Sequence, residues 1–143
     1  MTDDLTAKAA KAGLDSFMAT FGRVPDQFAL LNQYAPSAFA GYGLMRAGLM
    51  KDRAQGGALE LKTKELVFAL LDTLAGNLNG ARSHAAAAMK LGLTLPELAE
   101  GLVQVVMVGG IITWNLVGVE VMRHCIALTQ PPAREEQPQG QGD

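Results

Sequence analysis

The chain has 143 residues, 12 Lys and Arg against 14 Asp and Glu, a net charge of −2 with His neutral, and 49% apolar residues. That length argues for one domain with a proper hydrophobic core, and the charge balance excludes the basic footprint of a nucleic-acid-binding surface. Cys125, the single cysteine, excludes an internal disulfide and fits a reducing, cytoplasmic compartment, while the acidic opening MTDDLTAKAAKAG lacks the apolar run of a secretory signal.

Only 6% of residues are aromatic, with 16 Gly and 7 Met, so the composition favours closely packed helices over a β-sandwich. Residues 3–21 carry Leu5, Ala9, Ala12 and Phe17 at roughly helical spacing, ended by Gly22 and Pro25. Two helices follow over 26–34 and 37–50, split by Pro36, and then a turn at Arg53–Gly57. The strongest helical pattern covers 59–77, where Val67, Leu70, Leu71, Leu74 and Leu78 form one apolar stripe. Another helix spans about 80–91 and stops at Gly92. Thr94 and Glu97 then have the spacing of a capping box, with Pro96 tolerated in the first turn of the next helix. Beyond Gly109-Gly110 a last helix runs over about 112–128. The reading is all-α, with about six to seven helices in a domain over 1–129 and a disordered tail over 130–143.

Residues 101–119 hold no charge, which raises the question of a membrane span. Gln104, Thr113, Asn115 and the paired glycines favour two buried helical pieces instead, so no membrane association is expected.

The candidate chemistry sits between Glu65 and His84. His84 shares a helical face with Gly80, Ala81, Ala87, Ala88 and Leu91, so another helix can approach closely and enclose the imidazole. It reads as a core histidine or as a general acid/base. Glu65 lies opposite the leucine stripe, near Lys62 and Asp72, and by itself reads as a solvated carboxylate. A functional Glu65 needs cover from another helix or subunit. Asn77, Asn79 and Ser83 are turn residues or substrate contacts, and Arg82 falls on the other face and is expected in solvent. Adjacent residues of a helix point about 100° apart, so His124 and Cys125 do not form a thiolate–imidazole pair. The two histidines lack ligand spacing, so no metal is expected.

Four segments carry a family likeness: VPDQFALLNQYAPSAFAGYGLM, LKTKELVFALLDTLAGN, SHAAAAMKLGLTLPELAEGL and VGGI. Over about residues 24–125 the chain resembles the carboxymuconolactone decarboxylase and alkylhydroperoxidase D-like superfamily. The resemblance implies a compact helical bundle that assembles as a homo-oligomer (dimer, trimer or hexamer), with sites near subunit contacts and part of 101–119 as interface. The redox branch of that superfamily has a glutamate, a Cys-x-x-Cys and a histidine in one register. Glu65 and His84 fit the outer positions, while Asn77 and Gly80 stand where the cysteines would be. An amide and a glycine form no disulfide, so thiol-based alkylhydroperoxidase or peroxiredoxin chemistry is disfavoured. The decarboxylase branch needs no cysteine pair and no cofactor. By this likeness His84 would protonate carbon in a small carboxylated lactone or carbonyl compound, and Glu65 would orient it. Asn77 and the backbone near Gly80 would hold substrate oxygens. A cation for the substrate carboxylate would come from Arg82, Arg46 or Arg53. The alternative is a non-catalytic oligomeric member that binds a small molecule.

Overall fold

The structure, a computed structural model, describes residues 2–132. Seven helices and no strands occur among the described residues: α1 (Thr2–Phe21), α2 (Asp26–Tyr34), α3 (Pro36–Leu49), α4 (Leu61–Ala75), α5 (Leu78–Lys90), α6 (Leu95–Gly109) and α7 (Ile111–Thr129). The all-α expectation holds, with helix ends within about two residues of those expected. From residue 133 onward the expected disordered tail lies outside the described residues.

Local chemistry explains the breaks. Pro36 starts α3 at a position where its missing N–H costs nothing. Gly76 ends α4 with φ 77°, a left-handed conformation that reverses the chain into α5. The Thr94–Glu97 capping box forms as expected: Thr94 Oγ1 accepts from Glu97 N–H, and Thr94 N–H donates to Glu97 Oε2 at 2.8 Å. A second box, not anticipated, closes the 53–55 turn: Asp52 Oδ1 accepts from the N–H groups of Arg53 and Leu61, which ties the turn to the start of α4. Lys64 Nζ donates to the carbonyls of Leu49 and Lys51 at 2.6 Å each and so satisfies the end of α3.

Two packing centres result. Small side chains let α5 sink between α4 and α7: Ala69, Ala81, Ala85 and Ala88 are sealed, with Leu98, Leu102, Val117, Val121 and Cys125 around them. The other centre joins α1 to α3, where the backbones cross at Gly13 and Gly43. A Cβ on Gly43 would stand 2.7 Å from Gly13 Cα, so only glycine permits the approach. One turn beyond that crossing lie Phe17 on α1 and Arg46 on α3.

Two expectations fail on α4 and α6. The apolar stripe expected along α4 is buried only in part. Leu70 and Leu78 pack against the core, but Val67, Leu71 and Leu74 are exposed, and the fully inward positions go to Glu65, Ala69 and Thr73. Residues 101–119 are only partly buried, with Met107 82% and Val108 81% exposed. The run Ile111–Thr129 is the one helix among the described residues long and apolar enough to cross a membrane by length and composition. It contains a π-helical stretch, Trp114–Gly118, carries Glu120 and Arg123, and packs on the core through Val117, Val121 and Cys125.

Candidate active site

α4 brings Glu65, Phe68 and Asp72 to one face at spacings of three and four residues, and α5 faces them with Asn77, Gly80 and His84. The two helices pack directly on one another. The result is a hydrogen bond of 2.6 Å between His84 Nδ1 and Glu65 Oε2. Glu65 is only 1% exposed, which overturns its reading as a solvated carboxylate. The expected cover is present, but it comes from α1 and α3 of the same chain, whose Ser16, Thr20 and Ala47 stand around Glu65 in a cavity of about 530 Å³.

A carboxylate only accepts hydrogen bonds, so opposite an ionised Glu65 it is His84 Nδ1–H that donates in this bond. Nε2 is then the nitrogen left for chemistry. The His84 side chain is 14% exposed and its Nε2 stands 4.0 Å from Asp72 Oδ2. Phe21 meets the ring edge-on at 5.5 Å and Phe68 lies against it at 4.8 Å, so the imidazole is held in place on both sides.

His84 opens onto a cleft of about 760 Å³. Phe17, Phe21, Phe28, Tyr42 and Phe68 form an apolar wall, and Arg23, Arg46, Arg82, Asp26 and Asp72 also line the cleft. Phe28 and Tyr42 stack on one another at 5.2 Å and 9° within that wall. Arg82 is not free in solvent as expected: it lines the cleft and pairs with Glu120 at 3.5 Å. Of the three candidate cations, Arg46 and Arg82 reach the cleft, whereas Arg53 sits in the turn before α4.

Asn77 and Gly80 both line the cleft. Asn77 caps α5: its Oδ1 accepts from Gly80 N–H at 3.3 Å, and its Nδ2 donates to Asp72 Oδ1 at 3.1 Å. A Cβ on Gly80 would fall 2.4 Å from Asn77 Nδ2 and 2.5 Å from Asp72 Oδ2. The bare backbone at residue 80 therefore admits the Asp72 carboxylate beside His84. Cys125 lies in the core rather than at the cleft, and burial pushes its thiol pKa up, which disfavours the thiolate. No group of three or more His, Cys, Asp or Glu able to hold a metal ion occurs among the described residues.

Sequence reasoning missed Asp72 as a site residue and missed the aromatic wall. The signal for Asp72 was its distance of seven residues, two turns, from Glu65. The wall had no comparable signal, because its rings come from α1, α2, α3 and α4.

A family model described as the Carboxymuconolactone decarboxylase family matches residues 36–124. Among solved structures, the chain is similar to a Burkholderia xenovorans LB400 protein assigned as a carboxymuconolactone decarboxylase. The TM-score is 0.80 at 29% identity, over 86% of this chain and 92% of that one. No curated protein matches the chain.

Proposed function

Because the chain belongs to the carboxymuconolactone decarboxylase family, we propose that it is a cofactor-independent, decarboxylase-like lyase acting on a small carboxylated lactone or carbonyl compound. The observation that carries this reading is the bond between buried Glu65 and His84 at the wall of an open cleft. In the reaction the bond from the substrate skeleton to its carboxylate carbon breaks and CO₂ leaves. The electron pair stays on the skeleton, delocalised into the conjugated carbonyl. Protonated His84 then gives its Nε2 proton to that carbon, and solvent restores the proton through the cleft. Glu65 remains a carboxylate throughout: it aims the ring through Nδ1 and stabilises the imidazolium. The aromatic wall excludes water from one side of the substrate, which strengthens each charge interaction at the site. Asn77 and the backbone at Gly80 are the proposed contacts to substrate oxygens, since both stand at the cleft wall.

His84→Ala tests the proposal. A screen of small lactones and carboxylates should find a decarboxylated substrate for the wild type. The variant should lose 10²-fold or more in kcat, the scale of acid/base catalysis, while its melting temperature stays within a few degrees. Wild-type turnover in the variant would sink the reading. If no compound in the screen is turned over yet some bind, the chain is a binding member of the family instead.

Assembly and compartment belong to the same proposal. Val67, Leu71, Leu74, Met107, Val108 and Ile111 are exposed on the adjoining helices α4, α6 and α7, and a contiguous apolar surface of this kind marks an interface. A homo-oligomer covers it with a second copy. Unpaired Cys125 is consistent with a reducing cytoplasm.

A further inference from the structure

Arg46 is a charged group buried without a counter-ion. It is 6% exposed, on a helix otherwise made of small and apolar residues plus one tyrosine and one serine. Among the described residues no carboxylate forms an ion pair with it. Its hydrogen bond runs from Nη2 to Thr20 Oγ1 at 3.0 Å. The Thr20 hydroxyl in turn donates to Ser16 C=O at 3.1 Å, so its oxygen is turned to receive the guanidinium. Arg46 Nε is buried and has no partner. Phe17 lies 4.5 Å and Phe21 5.5 Å from the guanidinium carbon, and these rings hold the plane of the group.

Such an arrangement is costly unless something completes it. Burial opposes the charge and pulls the Arg46 pKa below its ordinary value; nearby Tyr42 and Glu65 only partly restore it. Glu65 is already committed to His84. A guanidinium presents five donors in a planar fork, and here the chain satisfies one of its faces. The same residue lines the cleft into which His84 opens. The other charged residues facing that cleft are Arg23 and Arg82, against Asp26 and Asp72, so the arginines outnumber the acids. Arg82 shares only the unpartnered Nε; unlike Arg46 it has a counter-ion, Glu120 at 3.5 Å.

We propose that Arg46 is the anion receptor of the cleft: it binds the carboxylate of a flat, unsaturated acid whose body lies on the aromatic wall beside His84. The inference deepens the lyase reading, because it names the residue that selects charged over neutral molecules and sets the register of the bound acid to His84. Arg46 is a positioning residue in that scheme. It exchanges no proton, and its guanidinium stays charged. The desolvation of the cation is incurred on folding, so the incoming carboxylate gains a charge-assisted, forked contact without first stripping water from the arginine. An uncharged molecule of the same shape meets the same wall but leaves the guanidinium without its partner.

Binding can be read without turnover. The probes are benzoate and its neutral isostere benzamide, titrated by calorimetry into the wild type, Arg46→Lys and Arg46→Gln. Benzoate should bind the wild type at least tenfold more tightly than benzamide. Arg46→Gln should lose that preference, and Arg46→Lys should keep part of it, since it retains the charge but not the fork. In the wild type, the Arg46 Nε–H resonance should move downfield as benzoate is added and stay fixed with benzamide. That measurement decides the matter even if Arg46→Gln fails to fold. Equal affinity for the two probes, or an Nε–H signal indifferent to benzoate, overturns the proposal. A structural role alone lowers the melting temperature of the variants but leaves the preference unchanged. Because no catalysis enters these readings, their failure is separable from that of the His84 test.

Discussion

At the scale of single residues, the site depends on which groups are denied water. Glu65 and Arg46 are ionisable residues with almost no exposure, and burying a charge is costly where its partners are incomplete. Glu65 has His84 at 2.6 Å. Gly80 makes an equally sharp demand by having no side chain. Replacing it by alanine would force a Cβ into the space of Asn77 Nδ2 and Asp72 Oδ2. We expect Gly80→Ala to cost about 1–3 kcal/mol, the usual range for forced overpacking. Asp72 should move off His84, seen as a changed His84 ring resonance together with a lower melting temperature. An unaltered His84 resonance would mean that Asp72 does not depend on the gap at residue 80. His84 was legible in the sequence as a group enclosed by small residues, and Glu65 as its candidate partner. The burial of Glu65 was not, because a wheel drawn for α4 placed it opposite the apolar stripe.

At the scale of elements, close approach of helix pairs places the site. The Gly13–Gly43 crossing brings α1 near enough to α3 for Thr20 to reach Arg46. Gly43→Ala should part the two helices, cost about 1–3 kcal/mol in thermal or urea denaturation, and weaken the Arg46–Thr20 contact. Stability equal to wild type would show that the crossing tolerates a methyl group. The turn before α4 adds a pH dependence. Backbone N–H groups of Leu61, then of Arg53, hold the Asp52 carboxyl below its ordinary value of 3.8. The depressed pKa belongs to the folded state, so the stabilisation is complete above pH of about 4 and is lost as the solution is acidified below it. Melting temperatures of wild type and Asp52→Ala should therefore differ at pH 7 and converge toward pH 3. A difference that grows in acid has the wrong sign for this mechanism. The Thr94–Glu97 box was readable from the chain, because both partners lie within one turn. The Asp52 box, which also joins Leu61 nine residues away, was not.

At the scale of the whole molecule, the exposed apolar residues of α4, α6 and α7 are where the proposed assembly is tested. Met107 and Val108 stand more than four-fifths free of other atoms of the chain. Met107→Glu places a charge in the middle of this surface and should shift sedimentation from an oligomer to the monomer. In a monomer the same change is nearly neutral, because the side chain already faces water. A wild-type protein that sediments as a monomer at all concentrations would remove the assembly from the proposal. The exposed part of the α4 stripe belongs to the same proposal: the assembly would cover Val67, Leu71 and Leu74, while Leu66 and Leu70 pack on the chain's own core beside inward-facing Glu65, Ala69 and Thr73.

The sequence alone determined the helices, the Thr94–Glu97 cap and the family likeness, and it singled out residues 65 and 84 as a candidate pair, because those signals lie within a few turns of one segment. It also showed that residues 77 and 80 carry no thiol. Tertiary structure decided which face of α4 is buried, that Glu65 and His84 touch, that Arg46 rather than Arg53 reaches the cleft, and that aromatic rings from four helices enclose it. Burial and proximity across elements arise from the packing of distant segments. Local periodicity records that a face is apolar, not whether its own core or a second molecule covers it.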